Sequence, residues 1–193
     1  MNSEWSKNSI EFKGYTPKVY CDFLGDEWGI ESENCGVCGY DNYSIFGTLC
    51  KNVHRIKEND IVIIGWSSVI RFRLAAKDGD WVKFVPCTVT DLHISHHTDL
   101  SRSTIEEIFV NRDNLVYYQE VNNWIHFINH TMKNNKIIHW TPFDDNVNLN
   151  VNKLLKLETI KMETKVVEDN HYGENAHKKL ASIFSEKLKN KLI

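Results

Sequence analysis

The stretch that decides the fold is Asp60-Ile61-Val62-Ile63-Ile64-Gly65-Trp66, an uninterrupted β-branched run that ends at a glycine. A central strand of a parallel sheet has this pattern, because both of its faces are covered and neither needs polar residues. A second run, Lys136-Ile137-Ile138-His139-Trp140-Thr141, precedes Pro142, and weaker runs lie at 29–34 and 157–161. We therefore predict four strands.

Segments with helical periodicity separate these strands. Apolar residues recur at intervals of three and four over 19–28, 43–53, 116–132 and 174–188. Strands that alternate with helices predict an α/β chain with a parallel sheet between helix layers, whose functional residues gather at the carboxyl ends of the strands. The segment 71–85 interrupts the alternation, and its turn sequence Lys77-Asp78-Gly79-Asp80 predicts a β-hairpin.

Length and charge limit the classes of function. A chain of 193 residues suits one domain spanning 1–193. The net charge of -3, from 23 basic and 26 acidic residues, gives no electrostatic reason to expect nucleic acid or an anionic membrane as a partner. No apolar run approaches the roughly 18 residues of a membrane span, and residues 1–6 lack the features of a signal peptide, which predicts a cytoplasmic protein.

The cysteines and histidines do not form a recognisable metal site. Five cysteines, an odd number, favour reduced thiols over a disulfide framework. Cys35-Gly36-Val37-Cys38 is a single C-x-x-C without a second pair, and His93, His96 and His97 lie in a polar loop without ordered spacing. We predict neither a metal nor another cofactor. A nucleotide site is not indicated either, because no glycine-rich phosphate loop follows a strand and opens a helix.

The run Glu168-Asp169-Asn170-His171 is a candidate acid–base pair directly before the last predicted helix. An imidazole can accept a proton near neutral pH, and a nearby carboxylate can fix its tautomer. In isolation, such a run is more often a solvated turn. In a parallel sheet, however, the loops that contain His171, Gly39 and Gly65-Trp66-Ser67-Ser68 are expected to converge on one edge.

The stretch Val62-Ile63-Ile64-Gly65-Trp66-Ser67-Ser68-Val69-Ile70-Arg71 contains the pattern G-W-[ST]-S-x-x-R. Here the chain resembles the SGNH (GDSL) hydrolases, and most closely a subgroup of which many members are encoded by bacteriophages. The resemblance covers nearly the whole chain. It implies a flavodoxin-like three-layer α/β/α sandwich and hydrolysis of a small-molecule or carbohydrate ester, such as an acetylated sugar. It also implies a location in the host cytoplasm or the virion.

The resemblance assigns roles to residues in three of the family's blocks. Asn34-Cys35-Gly36-Val37-Cys38-Gly39 is similar to the second block, which implies that the Gly39 N–H contributes to the oxyanion hole. Ser67 stands where the family usually has an oxyanion-hole asparagine, and losing a well-placed donor costs about 3 kcal/mol of transition-state stabilisation. In the last block His171 would be the general base, and either Glu168 or Asp169 would be the acid that orients it.

The first block departs from the family. SGNH hydrolases begin with a strand that ends in G-D-S, whereas here only Met1-Asn2 precedes Ser3. If Ser3 is the nucleophile, the start is truncated or the protein is a degenerate member without the first strand; Ser6 and Ser9 are weaker candidates. Two hypotheses follow: a serine esterase, and a catalytically inactive SGNH-fold structural or binding protein, for instance one that contacts virion proteins.

Two further residues of the G-W-[ST]-S-x-x-R pattern are candidate substrate contacts. Trp66 adjoins the predicted oxyanion residue, and Arg71 closes the pattern. A guanidinium at this position could instead attach the hairpin to the core through charged hydrogen bonds, and this structural interpretation of Arg71 is slightly favoured.

Overall fold

The computed structural model describes residues 18–37, 40–69, 71–75, 81–84, 101–111, 113–143, 149, 154–156 and 174–189. The chain divides into two compact units. The sheet unit comprises Gly39–Leu157, and the helix-pair unit comprises Met1–Cys38 together with Glu158–Ile193. The single domain expected from chain length stays a prediction.

The described elements mix helices and strands, which confirms the α/β class. The helices are α1 (Tyr20–Trp28), α2 (Asn42–Asn52), a short 3₁₀ turn (Val53–Arg55), α3 (Arg102–Asn111), α4 (Asn114–Thr131) and α5 (Glu174–Lys189). The strands are β1 (Ile61–Gly65), β2 (Phe72–Ala75), β3 (Trp81–Phe84), β4 (Lys136–Thr141) and β5 (Leu154–Lys156).

Three strands of the sheet unit form a parallel sheet in the order β1-β4-β5. Ile61 pairs with Lys136 and Gly65 with Trp140, so β1 ends one residue before β4. Among the described strands β4, not β1, is central, and its residues from Ile137 to Thr141 are all buried. The parallel sheet is thus confirmed, and the central position expected for the Asp60–Trp66 run stays a prediction, because one edge of β1 has no partner among the described strands.

Strands β2 and β3 form the predicted hairpin. They pair antiparallel, with Phe72 opposite Phe84 and Ala75 opposite Trp81. They make a separate two-stranded sheet and do not extend the parallel one. The hairpin that the sequence predicts within 71–85 is therefore confirmed by its two described strands, 72–75 and 81–84, and the residues between them lie outside the described part.

The core of the sheet unit lies between α4 and the parallel strands. Val121, Ile125 and Ile128 form one face of α4 and cluster with Ile64 of β1 and Ile137 of β4. These five side chains are at most 6% exposed. Each contributes about 1.5–3 kcal/mol relative to an exposed position, which makes this face the main attachment of α4.

Aspartates fix where two helices of the sheet unit begin. The Asp41 carboxylate accepts a hydrogen bond of 2.7 Å from the Ser44 N–H at the start of α2. The Asp113 carboxylate accepts one of 2.8 Å from the Leu115 N–H at the start of α4. An aspartate at this position satisfies an otherwise unpaired donor of the first turn and stabilises a helix by about 1 kcal/mol.

In the helix-pair unit, α1 packs against α5. The ring of Tyr20 meets the ring of Phe184 edge to face, with 5.4 Å between centroids. At the other end of α1, the Trp28 Nε1–H donates to Ser185 Oγ at 3.0 Å, and Ser185 donates to Glu27 Oε1 at 2.6 Å. The predicted terminal amphipathic helix is therefore confirmed, with its apolar face turned to α1.

The weak strand expected at 29–34 is wrong. Gly29 adopts a left-handed conformation with φ of 63°, and the Ile30 N–H donates back to the Gly25 carbonyl at 3.0 Å. This arrangement is a Schellman-type helix end, which turns the chain away from the helix axis. Residues 30–37 are exposed and form no strand, because they have no apolar face to bury.

The strand expected at 157–161 lies outside the described residues; the described strand β5 ends at Lys156. Across the part of the chain that the structure describes, no helix combines the length and the apolar character needed to cross a membrane.

Candidate functional site

The candidate site lies where β1 and β4 end, at the carboxyl edge of the parallel sheet. The Trp66 N–H donates to the Trp140 carbonyl at 2.8 Å, which extends the strand pairing by one residue and fixes the start of the loop after β1. Trp66, Ser67, Ser68 and Val69 follow, and all four are buried. We call this stretch the GWSS loop, comprising Gly65 to Ser68.

Gly65 permits a close approach of the two strands. A Cβ atom at this position would lie 2.9 Å from Trp140 Nε1 and 3.0 Å from its Cε2. Any larger residue would therefore have to displace the buried indole ring of Trp140 at the carboxyl edge of the sheet. The glycine of the pattern has a packing role that does not depend on catalysis.

Asn42 joins the GWSS loop to the start of α2. Its Nδ2 donates to the Ser67 carbonyl at 3.0 Å, and its Oδ1 accepts from the Ser67 N–H at 2.6 Å. Both bonds are buried, and the exposed fractions are 7% for Asn42 and 4% for Ser67. We call this pair of hydrogen bonds the Asn42–Ser67 clamp. It brings the segment that begins at Tyr40 against the residue predicted to contribute to an oxyanion hole.

His139 is a buried histidine of the same region that the sequence did not single out as functional. The Trp66 Nε1–H donates to His139 Nδ1 at 3.1 Å, and the two rings are stacked with centroids 5.9 Å apart. Since Nδ1 accepts this bond, the geometry assigns the ring proton to Nε2. His139 has no exposed surface, and its ring packs against Trp66.

Arg71 contacts its neighbours in the way expected of a structural guanidinium. Its Nη1 donates to the Tyr40 carbonyl at 3.3 Å, and its Cζ lies 5.3 Å from the centroid of the Phe143 ring. Trp66 is only 1% exposed and belongs to the apolar core. Substrate binding by Trp66 or Arg71 stays a prediction, and the contacts described give both residues a packing role.

Arg73 and Asp41 form a second, unpredicted connection between the hairpin and α2. Arg73 Nε lies 3.3 Å from Asp41 Oδ2, and both side chains are largely buried. The Arg73 guanidinium also lies over the Tyr43 ring, with Cζ 3.7 Å from its centroid. Burial raises the pKa of Glu120, and the charge of Arg73 opposes that rise. Arg73 and Asp41 lie in different elements, and no regular spacing in the sequence relates them. The sequence alone therefore could not reveal this ion pair.

Five predicted site residues lie outside the described residues: Ser3, Gly39, Glu168, Asp169 and His171. The nucleophile, the base, its acid and one oxyanion donor therefore stay predictions. Of the predicted oxyanion residues, Ser67 is described, and it is joined to the segment that follows Gly39.

The described residues contain no group of three or more His, Cys, Asp or Glu side chains that could hold a metal ion. Cys35 is exposed, and its Sγ lies 3.7 Å from Glu33 Oε1. Burial raises the pKa of the Cys21 thiol to about 11, so this thiol is protonated at neutral pH and is a poor nucleophile. Cys38 and the histidines at 93, 96 and 97 lie outside the described residues.

Comparisons with protein-family models, with curated proteins and with solved structures found no match to this chain. The arrangement offers a buried, hydrogen-bonded loop at the carboxyl edge of a parallel sheet, fixed from one side by α2 and from the other by β4. Such an edge is where open α/β sheets bind their ligands.

Proposed function

We propose that the chain is a serine ester hydrolase of the SGNH type, built on a flavodoxin-like three-layer sandwich. The observation that carries the proposal is the Asn42–Ser67 clamp. An oxyanion hole of this type takes one donor from the segment at Gly39 and one from the residue at Ser67. The clamp begins three residues after Gly39 and ends on Ser67, so it supports the juxtaposition that the reaction needs.

In the proposed reaction, the Ser3 hydroxyl oxygen attacks the ester carbonyl carbon while its proton passes to His171. The carbonyl π electrons become the oxyanion, which the Gly39 N–H and the Ser67 hydroxyl stabilise. Collapse breaks the bond to the alcohol oxygen, which leaves with the proton from His171. Water then attacks the acyl-Ser3 ester and gives a proton to His171, and the Ser3 oxygen leaves as that proton returns to it.

Glu168 or Asp169 would orient His171 and stabilise its imidazolium form during both steps. The sequence does not favour one over the other. The substrate class follows from the same resemblance: a small-molecule or carbohydrate ester, with no metal or other cofactor required. A location in a host cytoplasm or a virion would accompany a phage-encoded esterase.

A second candidate function is a catalytically inactive SGNH-fold structural or binding protein, such as a virion component. The burial of Ser67 favours it, because Ser67 is 4% exposed and its backbone N–H already donates to Asn42. Only the hydroxyl of Ser67 could then contribute to an oxyanion hole. In this alternative, the clamp stabilises a loop and nothing more.

Two measurements separate these candidates. The purified protein is treated with a fluorophosphonate that labels activated serines, and hydrolysis of 4-nitrophenyl acetate is followed. We expect labelling and hydrolysis in the wild type, and at least about a 1000-fold loss of activity in Ser3→Ala and in His171→Ala. Ser182→Ala and His126→Ala, both at exposed positions, serve as matched controls and should retain activity, since the proposal gives neither residue a role. A wild type that is neither labelled nor more active than His171→Ala would exclude the esterase.

A further inference from the structure

Asn42 uses both ends of its side-chain amide on a single residue. The Nδ2 donates to the carbonyl of Ser67 and the Oδ1 accepts from its N–H, at 3.0 and 2.6 Å. The side-chain amide of Asn42 thus makes the same pair of hydrogen bonds to Ser67 that a residue of a neighbouring β-strand would make with its backbone. Because the two backbone groups of Ser67 are held together, its peptide planes are fixed although the GWSS loop is not in a regular strand at this point.

The start of α2 gives Asn42 a fixed position. Asn42 is the first residue of α2, and Asp41 precedes it as the helix cap. The Asp41 carbonyl accepts the first helical hydrogen bond, from the Ile45 N–H at 3.0 Å. The Asp41 carboxylate accepts from Ser44 and pairs with Arg73. These three contacts of Asp41 hold the first turn of α2 in place and leave the backbone of Asn42 little freedom to move.

We infer that Asn42 is a positioning residue of the proposed hydrolase, which fixes the backbone of Ser67 so that its hydroxyl can act as an oxyanion donor. The inference rests on the proposed function. With the Ser67 N–H engaged by Asn42, the hydroxyl is the donor that Ser67 can supply. A hydroxyl reaches less far than the amide of an asparagine, so the position of the backbone decides whether it meets the oxyanion. A displacement of about 1 Å at such a group can cost about 100-fold in rate.

The test uses three variants of the full chain and 4-nitrophenyl acetate as the substrate. Asn42→Ala removes both bonds to Ser67. Asn42→Asp retains an oxygen that can accept from the Ser67 N–H but faces the Ser67 carbonyl with a second oxygen. Asn52→Ala is the matched control, because Asn52 lies on the same helix and also makes two hydrogen bonds, from Nδ2 to the Thr48 carbonyl and to Oδ1 from Arg55.

We expect kcat to fall by about 100-fold in Asn42→Ala with little change in KM, since the misplaced Ser67 hydroxyl would meet the oxyanion only in the transition state. Asn42→Asp should lie between Asn42→Ala and the wild type, and Asn52→Ala should match the wild type. A loss of fold would also lower the apparent kcat, but it would appear in the circular dichroism spectrum, which should be the same in Asn42→Ala as in the wild type. Equal kcat in Asn42→Ala and Asn52→Ala would overturn the inference and leave the proposed function intact.

A second measurement needs no substrate. Amide hydrogen exchange at Ser67 should be slow in the wild type and about tenfold or more faster in Asn42→Ala, because the hydrogen bond from the Ser67 N–H to the Asn42 side chain is lost; Asn42→Asp keeps an acceptor for this N–H and should lie between the two. If the wild type shows no Ser3-dependent hydrolysis, the proposed function fails, and the exchange rates still decide whether Asn42 holds Ser67. Fast exchange at Ser67 in the wild type would overturn the inference irrespective of activity.

Discussion

The GWSS loop of the sheet unit and the α1–α5 pair both bury polar side chains, but they use them differently. In the GWSS loop, Asn42 binds the backbone of Ser67, so polar contacts hold a segment that has no regular hydrogen-bond ladder of its own. In the α1–α5 pair, both helices satisfy their own backbones, and Ser185 adds hydrogen bonds to Trp28 and Glu27. Polar contacts therefore define the geometry of the loop, whereas apolar packing defines the helix pair.

The largest effect is expected where apolar packing dominates. Phe184 of α5 has no exposed surface and meets Tyr20 edge to face. Phe184→Ala should lower the free energy of unfolding by about 3–5 kcal/mol, measured by urea denaturation with fluorescence detection, because the lost side chain leaves a cavity. Phe127→Ala is the control, since Phe127 is 56% exposed on α4 and should cost far less. Equal losses of unfolding free energy in Phe184→Ala and Phe127→Ala would mean that the buried aromatic contact does not stabilise the helix pair more than an exposed ring stabilises α4.

A smaller effect is expected at the glycine of the GWSS loop. Gly65→Ala places a methyl group 2.9 Å from Trp140 Nε1, and overpacking of this kind costs about 1–3 kcal/mol. A methyl group added at Gly47 of α2 would meet no atom within 4 Å, so Gly47→Ala should instead increase stability by up to about 1 kcal/mol. Thermal unfolding of both variants checks the pair. A Gly65→Ala protein as stable as the wild type would show that the Trp140 ring can shift at little cost.

The elements of regular structure were largely predictable. The β-branched run at β1 and the apolar run at β4 identified two strands, and the apolar spacing of Val121, Ile125 and Ile128 identified α4. These signals are local, since periodicity depends only on residues of one element. The strand expected at 29–34 failed because, apart from Ile30, the segment has neither β-branched nor aromatic residues and no apolar face to bury.

The connections of the candidate site were not predictable in the same way. Asn42 and Ser67 are 25 residues apart, and Trp66 and His139 are 73 apart. No periodicity relates such pairs; they depend on which strands become neighbours and in which register. The pattern G-W-[ST]-S-x-x-R indicated where the loop lies, but the partners that hold it follow from the pairing of β1 with β4 and from the cap of α2.

The smallest effect concerns Ser185. The pKa of Glu27 is lowered first by the hydrogen bond from Ser185 and second by the hydrogen bond from Lys189. A carboxyl with a lowered pKa in the folded state contributes stability that is present above its ordinary value of 4.5 and is lost as the pH falls through the folded value. In Ser185→Ala the Glu27 pKa should rise toward 4.5, measured by the NMR titration of its carboxyl carbon. Ser182→Ala, an exposed position on the same helix, is the control and should leave that pKa unchanged. If the pKa of Glu27 is unchanged in Ser185→Ala, the lowering of that pKa comes from Lys189 and not from Ser185. The buried hydroxyl of the helix pair would then have less influence on its neighbours than Asn42 has on the GWSS loop.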